Sequence, residues 1–152
     1  ELDMKLRCRK RNISEVCIVE RAVSGKKYKA GTCFIKLSAV DEFVGQIKEA
    51  GNIDSRFAVF EPKKEVDCDY LYIAIKRVFP DFLRRYRTTI NLQFSTLVNF
   101  ILDWHDNEKD QRYIVEQIRM IDNEIEMIER QIDNEKQLKK WYLEKMMAND
   151  YP

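Results

Sequence analysis

Residues 114–132 read IVEQIRMIDNEIEMIERQI, and within them Ile114, Ile118, Ile121, Ile125, Ile128 and Ile132 recur at spacings of 4, 3, 4, 3 and 4. This is a heptad seam in which all six positions hold isoleucine. One helix cannot bury such a stripe by itself, so the pattern asks for a partner helix. The plainer alternative is a helix that packs on its own domain. Isoleucine at both seam positions does not favour a simple parallel dimer. An antiparallel pair, or a seam shared with another protein's helices, fits as well.

Working outward, no Gly or Pro falls between Trp104 and Tyr151. A helix that begins near Asn107–Asp110 can run about 38 residues, roughly 57 Å at 1.5 Å per residue. Glu108, Asp110 and Glu116 lie near its start, where acids are favourable. Lys136, Lys139, Lys140 and Lys145 crowd its end, where cations are favourable. After Ile132 the seam falters, because Glu135 and Lys136 occupy the next positions. Apolar spacing resumes at Leu138 and at Trp141 or Tyr142. The break reads as a stutter, a hairpin bend, or a last segment that docks on the globular part. Leu138 and Tyr142 join the six isoleucines as candidate interface residues.

The rest of the chain is compatible with one modest domain. With 152 residues there is room for a single domain of about 105 residues, 1–105, and one long element, 106–150. Apolar residues make up 45% and charged residues 35%, a globular balance with extra charge on the helix. The net charge of +1 is unevenly spread, +5 over residues 1–105 and −4 over residues 106–152. A nucleic-acid surface on the first part is allowed by this and not demanded. The four cysteines, at 8, 17, 33 and 68, form no C-x-x-C pair, and a single histidine cannot complete a Cys₂His₂ finger. Cys17 and Cys33 sit among apolar residues and read as buried thiols of a reduced, cytoplasmic protein. No apolar run reaches the length of a membrane span and no signal peptide is visible. Glu1 is not an initiator residue, so the chain is either processed or cut from a longer one.

Residues 1–12 alternate Met4, Leu6 and Cys8 with Lys5, Arg7 and Arg9, which suggests a short strand or a loose arm. Ile13–Val19 is either a helical turn capped by Ser14 or a strand. Ser24–Gly25–Lys26–Lys27 is a turn signal, and Thr32–Leu37 (TCFIKL) and Phe57–Phe60 (FAVF) are strands. Asp69–Arg77 reads as helix, with Asp67 or Asp69 as its cap and Pro80 as its end or the start of a new turn. Phe82–Arg87 is then a second short helical piece, and Thr96–Leu102 a small strand or turn. The fold class is α+β: a small mixed domain followed by a long C-terminal coiled-coil helix.

A search for catalytic chemistry returns little. His105, the sole histidine, sits between Trp104 and Asp106 and reads as an exposed or structural junction residue. Gly25–Lys26–Lys27 lacks the upstream glycines of a phosphate loop, and Asp67 and Asp69 lie outside any EF-hand pattern. No metal or cofactor is expected, and catalysis by this chain alone is not. The basic clusters carry more meaning. Lys26, Lys27 and Lys29 surround the first turn, Arg84, Arg85 and Arg87 form another group, and Lys5 to Arg11 a third. Lys and Arg in turns can track phosphates, and Ser38 and Gln46, near strand ends, have side chains able to reach base edges. A solvated surface is the competing reading for each cluster.

Taken in order, these segments resemble the specificity subunit of type I restriction–modification systems. Gly25–Lys27 and Lys29–Ala39 (KAGTCFIKLSA) look like the opening of a target-recognition domain. Asp54–Lys63 (DSRFAVFEPK) looks like its central strand, and Asp69–Tyr72 (DYLY) like the helix that comes next. Ile90–Gln93 and Leu97–Phe100 lead to Asp110–Gln117 (DQRYIVEQ), similar to the start of the spacer helix. Ile121–Ile125 and Leu138–Met146 match that helix further on. The resemblance spans roughly residues 12–147. It implies double-stranded DNA and modification (methyltransferase) subunits as partners, with no catalytic residues in the recognition domain. A full subunit has two such domains and two antiparallel helices, so a half-length chain would restore that shape as an antiparallel homodimer on a split, palindromic site. The family's usual proline before the spacer helix is missing from Asp103–Asp110. The alternative is a coiled-coil scaffold or regulatory relative that binds protein and not DNA.

Overall fold

The computed structural model describes residues 6–148. The part of the N-terminal arm that holds Met4 and Lys5 and the last residues before Pro152 lie outside them. The elements run β1 (Arg9–Asn12), α1 (Ile13–Val16), β2 (Cys17–Arg21), β3 (Cys33–Lys36), β4 (Val44–Gln46), β5 (Phe57–Pro62), α2 (Cys68–Tyr86), β6 (Ile101–Trp104) and α3 (Glu108–Met147). A 3-10 segment, Phe94–Asn99, precedes β6. The chain divides into two compact units, one up to Arg112 and one from Tyr113 onward.

In the first unit β2, β5, β3 and β4 form an antiparallel sheet in that order. The central strand β5 is buried on both faces, which explains its unbroken apolar run (Ala58, Val59, Phe60 at 0% exposure). On one face Phe60 meets Phe100, and Phe100 in turn meets Phe79 and Phe82 of α2. On the other, Val59 packs with Ala22, Tyr28 and Ile53, with Phe34 and Phe57 against them. Cys17 and Cys33 lie inside, in keeping with their apolar sequence neighbours. β4 approaches β3 closely because Gly45 sits opposite Phe34: a Cβ at residue 45 would fall 2.2 Å from the Phe34 ring.

A two-stranded ribbon joins the ends of the domain, β1 antiparallel to β6. Lys10 and Asp103 face each other in register and their side chains meet at 2.5 Å, and Arg77 reaches the same carboxylate at 3.2 Å. Arg9 and Arg11 pair with Asp106. Residues 13–19 therefore split into a helical turn and a strand, and the cap is Asn12, whose Oδ1 accepts from the Ser14 amide at 3.0 Å.

α2 is a single helix of 19 residues that passes through Pro80, so the expected break at that proline does not occur. The Lys76 carbonyl loses its helical donor there, at a usual cost of about 3 kcal/mol. Ile75, Phe79, Phe82 and Leu83 are buried on both sides of the proline, and burying several such side chains at ~1.5–3 kcal/mol each outweighs that cost. Asp67 caps the helix, accepting from the amides of Asp69 (2.8 Å) and Tyr70 (3.0 Å).

α3 is unbroken for 40 residues, so the expected hairpin bend does not follow Ile132. At unchanged heptad spacing the seam crosses Glu135 and Lys139 and meets apolar residues again at Tyr142 and Met146. In the second unit the seam lies open: Ile118 to Ile132 are 37–54% exposed, and Leu138 and Tyr142 49% and 43%.

Candidate functional surfaces

The basic residues singled out by the sequence form two groups, at opposite ends of β3. Lys26, Lys27 and Lys29 precede the strand, and Gln46 joins them there because it pairs with Cys33. Ser38 follows the strand. Backbone bonds from Val40 to Ile90 and from Leu92 to Leu37 (2.8 and 2.9 Å) bring the Ser38 segment beside the Thr88–Asn91 turn. That turn follows the C-terminus of α2, where Arg84, Arg85 and Arg87 lie.

The first group stands on a buried tyrosine. Tyr28 is 1% exposed, its hydroxyl donates to Glu20 (2.9 Å) and accepts from the Val23 amide (2.9 Å), and Gly25 and Gly31 turn the chain on either side at positive φ. Lys26 is drawn inward by the same carboxylate, with Nζ 2.7 Å from Glu20 and 5.1 Å from the centre of the Tyr28 ring. Its hydrogen bond with Glu20 holds the lysine above its ordinary pKa and the glutamate below its own. Lys27 and Lys29 are exposed, with no ion pair to another described residue. Gln46 is not aimed outward: its amide donates at 3.3–3.4 Å to the carbonyls of Gly31 and Cys68 and to Asp69.

In the second group Arg84 is paired with Asp81 one helical turn earlier. Arg85 and Arg87 are exposed and make no ion pair with a described residue, and Ser38 is exposed. In the N-terminal basic cluster Arg9, Lys10 and Arg11 are spent internally on the β1–β6 ribbon, whereas Arg7 is exposed and makes no ion pair with a described residue. Within these described clusters, the cations left to meet an external anion include Arg7, Lys27, Lys29, Arg85 and Arg87.

His105 has a structural task that its position alone did not reveal. The Tyr70 hydroxyl accepts from the His105 amide at 2.8 Å and lies 2.7 Å from its Nδ1. Gln111, in the first turn of α3, donates to the His105 carbonyl at 2.6 Å. Where the resemblance led to an expected proline, this Tyr70–His105–Gln111 chain ties the start of the helix to β6. Asp67, Cys68 and Asp69 bring ligand atoms within 4.8 Å of one another, but both aspartates are engaged at the start of α2. No described helix is long and apolar enough to cross a membrane.

No protein-family model and no curated protein sequence matches the chain. Solved structures do. A type I restriction–modification S subunit from M. genitalium superposes with a TM-score of 0.72 at 15% identity, over 99% of this chain and 48% of that one. A chain from a structure describing assembly and conformational transition of the type I restriction–modification system gives 0.73 at 17% identity, over 92% and 45%. The HsdS subunit from Thermoanaerobacter tengcongensis gives 0.63 at 15%, over 95% and 45%. The chain thus spans just under half the length of each. Its mixed domain followed by a long helix is the fold of one half of a type I restriction–modification S subunit.

Proposed function

We propose that this chain is a half-length specificity module of a type I restriction–modification system. Its mixed domain reads DNA sequence, and its long helix pairs antiparallel with a second helix of the same kind. That second helix belongs either to another copy of the chain or to a longer polypeptide. The module carries no catalysis of its own and delivers modification subunits to the site, as a cytoplasmic protein. The observation that supports this best is the likeness to S subunits over nearly the whole chain, helix included.

The DNA-facing candidates are Lys27, Lys29, Arg85 and Arg87, with Ser38 beside the second pair. The test is selection from random duplexes by the chain together with type I modification subunits. Enrichment of a defined sequence is expected. Lys27→Ala with Lys29→Ala, or Arg85→Ala with Arg87→Ala, should flatten the salt dependence of binding by nearly one counterion for each phosphate no longer neutralised. Absence of any enriched sequence sinks the reading. The internal pairing of Arg9, Lys10, Arg11 and Lys26 favours the second reading, a scaffold that binds protein only. Salt-insensitive behaviour toward DNA would select it.

A further inference from the structure

The isoleucine seam has charged edges, and they bear on what can cover it. Across Ile114–Ile132 one flank is formed by Val115, Asp122 and Glu129 and the other by Gln117, Glu124 and Gln131. The flanks hold three carboxylates and no cation. The two arginines of the stretch, Arg119 and Arg130, fall at helical spacing on the opposite side, and Arg130 is bound there to Glu126 at 2.6 Å.

A second copy of this chain meets a conflict. Antiparallel pairing that sets isoleucine on isoleucine (114 on 132, 118 on 128, 121 on 125) is centred at Asn123. It brings Asp122 against Asp122 of the other copy and Glu124 against Glu124. Parallel pairing in register sets Glu124 beside Glu129. Sliding the copies by two heptads, to bring the cationic end of one helix toward the acidic stretch of the other, lays Ile125 on Glu135 and Ile121 on Lys139. A charge is then pressed against an apolar surface. Matching the apolar faces clashes the flanks, and relieving the flanks spoils the seam.

We propose that the seam is built for a non-identical helix, one with apolar residues at seam spacing and Lys or Arg on both flanks. This rests on the helix-pairing reading above and supplies the chemistry of the second helix. Flank charges choose among partners whose apolar seams are equivalent.

The test uses the chain itself as the probe. A variant carrying Asp122→Lys, Glu124→Lys and Glu129→Lys keeps every seam isoleucine and reverses both flanks. The three residues are exposed, so the fold does not depend on them, and unchanged helical circular dichroism checks this. Sedimentation equilibrium is run on the wild type alone, the variant alone, and a one-to-one mixture, at low and high salt. The mixture should associate at least ~10-fold more tightly than either parent, a difference of about 1.4 kcal/mol. The advantage should shrink at 1 M salt, where the Debye length falls to about 3 Å. Wild-type self-association as tight as that of the mixture would overturn the inference while leaving helix pairing intact, with a second copy as the occupant. No association in any sample would overturn helix pairing itself.

Discussion

Tyr70→Phe isolates the link between the domain and the first turn of its long helix. The substitution keeps the ring, and so keeps the edge contact with Trp104 at 4.7 Å between ring centres. It deletes one oxygen that accepts from the His105 amide at 2.8 Å and lies 2.7 Å from Nδ1. Tyr70 is 2% exposed, so water does not readily replace the missing group. A part-buried donor left without a partner costs about 1–3 kcal/mol. For a domain of this size each kcal/mol shifts the midpoint by about 4 °C, so Tm should fall by roughly 4–12 °C. The assay is thermal unfolding followed by tryptophan fluorescence, paired with amide hydrogen exchange. Exchange at His105 and in the Glu108–Arg112 turn should quicken more than in β5. An unchanged midpoint with full protection of the His105 amide would refute the reasoning.

Two further predictions concern the same domain. Thr32 is 0% exposed and its hydroxyl has no hydrogen-bond partner among the described residues, so Thr32→Val should be neutral or raise stability by up to about 1 kcal/mol in urea titration. A clear drop in stability would show that the hydroxyl is satisfied. Acid should loosen the β1–β6 ribbon. The Asp103 carboxyl is held below its ordinary value of 3.8, chiefly by its hydrogen bond with Lys10 and then by Arg77. A depressed folded pKa stabilises above the unfolded value, and that contribution is lost as pH falls through the folded one. Thermal midpoints measured from pH 6 down to pH 2 should therefore fall less steeply in Asp103→Asn than in wild type over the region below about 4. Parallel curves would sink the claim.

Much of this architecture is readable in the residues, for physical reasons that differ by element. α3 is legible because its heptad needs no tertiary context, and β5 because a strand buried on both faces must be apolar throughout. β1 is the opposite case. Its sequence, RKRN, has no apolar alternation, and it becomes a strand only through β6, more than 85 residues away, and the Lys10–Asp103 pair. Pro80 misleads for a related reason: local backbone cost is visible in sequence, whereas the aromatic packing around Phe100 that overrides it is not. The candidate DNA surface was only partly legible. Exposure of Lys27, Lys29, Arg85 and Arg87 agrees with their charge, but the capture of Lys26 by Glu20 depends on how the intervening turn folds, and that of Gln46 by Gly31 and Cys68 on neighbours far along the chain.

The cysteines give the molecule a built-in clock. Burial pushes the Cys17 thiol up to about 12 and raises Cys33 as well, so neither holds an appreciable thiolate at neutral pH. Cys8 is exposed and Cys68 half-buried. A thiol-specific reagent should therefore modify Cys8 at once, and Cys17 and Cys33 only when the sheet opens. The slow modification rate then reports how often the domain core opens under native conditions, without any engineered label.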